Sequence, residues 1–199
     1  MTFDLDARLL DGVLPSGRGS FKAARHVRII MLNLLRKSAA RKQRVQALYD
    51  DLVMRARAPL FFQGFAVADT IDGRFDLIAL HGWLAMSHLG ATRQIEDAQG
   101  LTDALFAGFD EALREQGAGD MSLGRRIKAM GDAFFGRLQA YDAARAPAEL
   151  SRALAKNLYR GSDPGALTDA LAAYTASARA TLAASPEGRL DFGPLPVLP

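Results

Sequence analysis

Cysteine is absent from the 199 residues of this chain. That excludes disulfides, thiolate metal sites and cysteine nucleophiles, and it fits a reducing compartment. Histidine is scarce: His26, His81 and His88 are the only imidazoles on offer for proton transfer or metal binding. No apolar run reaches the ~20 residues of a membrane span, and no secretory signal pattern is legible. A soluble or peripheral protein is the expectation. Acidic residues are missing from Gly12 to Tyr49, where nine basic ones stand: Arg18, Lys22, Arg25, Arg28, Arg36, Lys37, Arg41, Lys42 and Arg44. With the whole chain at +3, everything outside that stretch carries −6, so the basic character belongs to one segment.

Other absences narrow the chemistry. No segment alternates apolar and polar residues as a strand would, and no internal repeat is found. No Gly-rich loop joins a strand to a helix to cradle phosphate, and there is no G-x-S-x-G elbow for a serine nucleophile. Catalytic residues, metal ligands and cofactors are therefore not assigned. His81 and His88 share a helix face, but two imidazoles without a third ligand read more simply as hydrogen-bonded core residues. The carboxylate pairs Glu96-Asp97 and Asp110-Glu111 read as solvated helix faces.

What is present is helical. About half of the chain is apolar (49%), enough for one domain with a sizeable core. Residues 1–20, with Gly12, Pro15, Gly17 and Gly19, show no period and read as a mobile leader. Residues 21–44 join a short apolar run, with Ile29, Ile30, Leu32 and Leu35, to a cationic one. Such a segment suits a helix lying on an anionic membrane surface or against the ribosome. The plainer alternative is a solvated helix end packing its apolar residues on the domain. No aromatics interleave the basic residues, so specific nucleic-acid binding is not expected.

A helical domain is expected over residues 45–184. Val45, Leu48, Tyr49, Leu52, Val53 and Ala56 mark one face, and Pro59 ends that helix. PLFFQGF reads as a short connector. DGRFDLIALHGWLAMSHL, Asp72 to Leu89, is apolar on nearly every side and predicts a buried central helix, with Asp72 as its cap and Gly90 as its stop. A polar linker to Gly100 follows, then a stripe of Leu101, Leu105, Phe109 and Leu113, halting at Gly117-Ala118-Gly119. Asp120 and Ser122 are alternative caps for a helix striped by Leu123, Ile127, Met130, Phe134, Leu138 and Tyr141, which Pro147 breaks. Leu150, Leu154 and Leu158 mark a shorter helix, and Asp163-Pro164 predicts the start of the last one, faced by Leu167, Leu171, Tyr174, Ala178 and Leu182. Residues 185–199 read as an extended tail, in which LDFGPLPVLP carries three prolines and predicts a non-helical stretch, laid over the core or free in solution. The expected fold is all-α, six or seven helices around the central one.

Two charged sets stand out. Asp72, Arg74 and Asp76 crowd the start of the central helix, where the helix dipole favours acids and where Asp76 is expected to hold Arg74. Arg125, Arg126 and Lys128 stand beside Asp120, on what also reads as the solvent side of an amphipathic helix.

DTIDGRFDLIALHGWLAMSHL, followed by FDEALREQGAGDMSLGRRIKAMGDAFFGRLQAYDAA, resembles the ubiquinol–cytochrome c chaperone family, assembly factors for respiratory complex III in mitochondria and alphaproteobacteria. The likeness takes in LYDDLVMRARAPLFF and LSRALAKNLYRG, and so spans Leu48 to Gly161. It implies an all-helical protein that is not an enzyme and uses no cofactor. It implies a client, newly made cytochrome b, received at the inner face of the cytoplasmic membrane, with a small partner protein near the ribosome exit region. By the same resemblance Asp72, Gly73, Arg74 and Phe75 match a first partner-binding motif. Asp120, Ser122, Gly124, Arg126, Lys128 and Met130 match a second. Arg36, Lys37, Arg41, Lys42 and Arg44 are the residues expected to meet membrane or ribosome. Bacterial relatives open with a segment like MLNLLRKSAARKQR, so Met31 is hypothesised as the native start, or residues 1–30 as dispensable. Asp4, Asp6 and Asp11 argue against a mitochondrial transit peptide.

Two other function classes are compatible with these residues. A helical lipid or quinone carrier would show a large closed apolar cavity, whereas a chaperone would show an open groove or exposed apolar patch. A basic RNA-binding regulator would show binding that falls steeply with salt.

Overall fold

The structure, a computed structural model, describes residues 19–115, 120–162 and 164–199, with side chains from residue 36 onward except those of 116–122 and 163. The expected leader up to residue 18, the stop at Gly117-Ala118-Gly119, the cap at Asp163 and the side chains of Asp120 and Ser122 lie outside that description. The described residues form seven helices: α1 (Gly19–Ala56), α2 (Pro59–Gln63), α3 (Ile71–Ala91), α4 (Ile95–Glu115), α5 (Asp120–Ala143), α6 (Pro147–Leu158) and α7 (Ala166–Leu182). They contain no strand, and the fold is all-α. The chain divides into two units, Met1–Arg41 and Lys42–Pro199. In the first, residues 19–41 are helical; the second holds every element from the C-terminal part of α1 onward.

The basic segment and the helix expected from Val45 form one continuous α1, because no Gly or Pro interrupts residues 20–58 and most of them favour helix. PLFFQ is a helix too, α2, with Pro59 supplying the preset φ of a first turn. It puts Phe61 fully into the core, 5.3 Å from the ring of His81 and 5.9 Å from that of Tyr174.

The central helix α3 packs against α4, α5, α6 and α7. Leu77, Ala79, Leu80, Leu84 and Ala85 have no exposed surface, and Trp83 and Leu89 have almost none. A helix apolar all round is stable only when covered on every side, and this one is. Its cap is Thr70 rather than Asp72: Thr70 Oγ1 accepts the Gly73 N–H at 3.1 Å, and Asp72 sits within the first turn. At Gly73 any Cβ would overlap the carbonyl oxygen of Ala68, so the incoming chain and the helix touch backbone to backbone. Gly90 does not stop α3; the helix runs on to Ala91 and is capped by Thr92, whose hydroxyl donates to His88 O at 2.9 Å.

The second half of the expected linker up to Gly100 is also helix, since α4 begins at Ile95. Gly100 is there for closeness, because a Cβ at that position would lie 2.6 Å from Val45 Cγ2 on α1. The last helix starts at Ala166, capped by Gly165 at φ 61°, so Pro164 precedes it instead of opening it.

The residues after α7 lie over the core as an extended arm. Leu190 and Phe192 are buried, and the Phe192 ring stands edge-on to His81 at 5.2 Å. Asp51 on α1 anchors them, accepting from Arg189 Nε and Nη2 at 2.7 Å each and from the Leu190 N–H at 2.9 Å. Arg55 adds a bond from its guanidinium to the Gly193 carbonyl.

Candidate functional site: an arginine-rimmed groove

The first turn of α3 leaves Asp72 and Arg74 exposed and buries Gly73 and Phe75 beneath them. There Ile71 and Phe75 meet Tyr49 and Val53 of α1, Leu105 and Phe109 of α4 and Met130 of α5, lining an open groove of about 300 Å³. Arg57, Arg74 and Glu115 rim it. A second hollow of about 340 Å³ adjoins it across Ile71, Phe75 and Met130, and Asp72, Arg126, Arg137 and Arg160 line that one. Ile71 is 54% exposed, a large aliphatic residue left open to water at the junction.

The two motifs therefore meet, though only in part. Arg126 and Met130, four residues apart, share the face of α5 that looks toward the groove. Lys128, two residues from either, points away and pairs with Asp132 at 3.0 Å in solvent. Among the described residues, nothing lies within 4 Å of where a Gly124 side chain would begin.

The expected Arg74–Asp76 pair does not form. Residues two apart on a helix face different sides, and these two divide accordingly. Arg74 Nε donates to Asp69 Oδ1 at 2.7 Å, with both side chains about half exposed; the bond holds the Asp69 carboxyl below its usual range. Asp76 points inward and has no exposed surface. Its partners are Arg137, 2.7 Å away, and Arg160, 3.1 Å away. Both lie at ion-pair distance, outside the alignment of a directed hydrogen bond. Burial raises the Asp76 carboxyl and the two arginines oppose it; burial wins. Arg160 also lies 3.4 Å from Asp72, and the Arg137 guanidinium covers the Phe75 ring at 4.9 Å.

Arg57, Arg137 and Arg160 are the site residues that sequence reading missed. Arg160 follows α6 and Arg137 lies within α5, off its apolar stripe, so nothing along the chain ties either to Asp76. Burial of Asp76 within an apolar helix was the only legible hint, because a buried carboxylate requires cations from elsewhere.

The basic set divides as well. Arg36, Lys37 and Lys42 are exposed, and Arg41 is partly so. Arg44 binds Asp97 through Nε at 3.1 Å and Nη2 at 3.3 Å, tying α1 to α4. Asp97, read from sequence as solvated, is only 3% exposed.

The histidines of α3 are core residues. His81 Nδ1 lies 2.8 Å from Leu77 O, which can only accept, so Nδ1 carries the proton and Nε2 accepts from Tyr174 OH at 2.9 Å. Both ring nitrogens are thus committed within the protein. Complete burial lowers its pKa from 6.5 to about 4, and burial lowers that of His88.

Residues 63–194, from the end of α2 through the arm, match the profile of the ubiquinol-cytochrome C chaperone family. The chain belongs to that family. Among solved structures, the crystal structure of the Cbp3 homolog from Brucella abortus matches this chaperone with a TM-score of 0.68 and 32% sequence identity, covering 77% of this chain and 88% of that one. No curated protein matches. In this ubiquinol–cytochrome c chaperone the family match covers α3, α4 and α5, whereas the α1 wall of the groove precedes it.

Proposed function

We propose that this family member is an assembly chaperone that binds newly made cytochrome b, without its haems or only partly supplied with them, and hands it on to complex III. The observation that carries this reading is the groove. It is apolar on its floor, open along one side, rimmed by arginines, and built where residues of both family motifs converge. An open groove suits a segment of a client protein, whereas a carrier for lipid or quinone would enclose its cargo. Asp72, Arg74, Phe75, Arg126 and Met130 are the partner-contacting residues in this reading, with Gly73 as their support.

The chaperone works at the inner face of the cytoplasmic membrane as a peripheral protein. No described helix is long and apolar enough to cross a bilayer. The exposed cations Arg36, Lys37 and Lys42 supply attraction to anionic lipid or to the ribosome exit region, each contributing ~1 kcal/mol near an anionic surface. A small partner protein is a further candidate for the same surface.

Crosslinked capture of the tagged protein from its native host, with mass spectrometry of what is held, tests the reading. Enrichment of cytochrome b supports it. Co-purification of lipid or quinone with no cytochrome b overturns it in favour of the carrier.

A further inference from the structure

The second hollow holds one more positive charge than negative. Arg126, Arg137 and Arg160 line it with Asp72, and Asp76 lies beneath the last two arginines. Arg137 is turned inward: Nη2 meets Asp76, Nη1 donates to Ala133 O at 3.0 Å, and its face covers Phe75. Arg160 is shared between Asp72 and Asp76. Arg126 is exposed, and no described carboxylate partners it. Beside it lie Leu113, Ala129 and Met130, so the unmatched cation stands over an apolar floor continuous with the groove.

We propose that this hollow receives a single carboxylate, an Asp or Glu side chain carried by an apolar helical segment of the client. Arg126 is its first donor, and the outer edge of Arg160 is its second. The assignment rests on the client reading above and adds the chemistry of the segment. Three features carry it. The excess is one charge, which one carboxylate neutralises. A guanidinium offers the planar fork that a carboxylate fits. The apolar floor limits water around the pair, making the attraction stronger than between fully solvated groups. The shared wall of Ile71, Phe75 and Met130 lets the apolar part of the same segment lie in the groove while its acid reaches the arginines.

The test places the photo-crosslinker p-benzoylphenylalanine at Ala129, an exposed position that lines the hollow, in the full chain expressed in its host. Expected adducts are cytochrome b peptides with an Asp or Glu within one helical turn of the linked residue. Arg126→Gln should cut their yield about tenfold, the size of a lost charge-assisted hydrogen bond, while Arg126→Lys keeps most of it. Thermal melting of both variants should match the parent, since Arg126 is exposed and holds no described carboxylate. Cytochrome b adducts that lack a nearby carboxylate, or an Arg126→Gln yield equal to the parent's, overturn the carboxylate assignment and leave the client reading standing. Cytochrome b held by the protein but never linked at Ala129, or an acidic phospholipid as the main adduct there, overturns the location. Absence of cytochrome b from capture of the unmodified protein overturns the client reading and this inference with it.

Discussion

Arg137 and Asp76 approach to 2.7 Å across the α3–α5 interface, the aspartate with no exposed surface and the arginine side chain 15% exposed. A carboxylate in that position is held by cations or not at all. The same guanidinium lies over Phe75, so one side chain both neutralises the core and forms a wall of the groove.

Arg137→Leu should destabilise the protein by about 3 kcal/mol, the cost of leaving a buried charge short of its partner, as measured by urea unfolding. Arg160 keeps the loss from being larger. Burial raises the Asp76 carboxyl in the fold, so the folded state holds this proton more tightly than the unfolded chain. Its contribution to stability is therefore greatest below the ordinary carboxylate range and falls as pH rises through the folded pKa. The deficit of Arg137→Leu should accordingly shrink as pH is lowered toward that range. A deficit that grows would mean that Asp76 is not the group left exposed to the loss.

His81 gives the opposite slope. Its folded pKa of about 4 lies below the ordinary 6.5, so the unfolded chain takes up the proton first. Stability from His81 is complete above pH 6.5 and is lost as pH falls from 6.5 to about 4, amounting to about 3 kcal/mol. His81→Gln should lower stability at neutral pH, because Tyr174 OH and Leu77 O lose their partner, and should flatten the dependence over that window. Parallel urea titrations of parent and variant at several pH values would check both.

Neighbouring positions in the first motif should separate fold from binding. Gly73→Ala should cost about 2–3 kcal/mol as a steric clash with the Ala68 carbonyl. Arg74→Ala removes only a half-exposed pair with Asp69, so the thermal midpoint should barely change while capture of cytochrome b weakens. If Arg74→Ala instead lowers the midpoint clearly, the residue is structural.

Arg44 should behave unlike its basic neighbours. Arg44→Gln leaves the buried Asp97 without its cation and should lower the thermal midpoint, with little effect on binding to anionic vesicles. Neutralising Arg36, Lys37 and Lys42 together should do the reverse. Vesicle sedimentation at two salt concentrations, alongside melting curves, would separate the two outcomes.

Elements governed by local pattern were legible in the sequence. The apolar belt of residues 72–89 announced a buried helix, and the stripe from Leu123 to Tyr141 announced α5. The resemblance named two motifs without saying that they meet; it is the fold that sets Phe75 and Met130 in one wall. Pairings between distant elements were not legible. Arg44 with Asp97 and Arg137 with Asp76 depend on which helix faces which, and a charged residue looks solvated until its neighbour is known. Glycine misled in the same way: Gly90 and Gly100 read as breaks, yet both lie inside helices, Gly100 because Val45 presses against it. The α7 start shifts for a local reason: Gly165, at a positive φ, precedes Ala166, where Pro164 had promised the first helical position.

The arm that crosses the core also sets an order of events. Asp51 waits for Arg189, 138 positions later in the chain, and Phe192 is the last aromatic to reach the His81 ring. Until then α1 carries an unmatched carboxylate and α3 an uncovered face. Closing so long a loop is slow relative to forming local helices. During its own synthesis, then, this chaperone is itself an incomplete apolar protein, and its core closes only once the residues around 190 have left the ribosome.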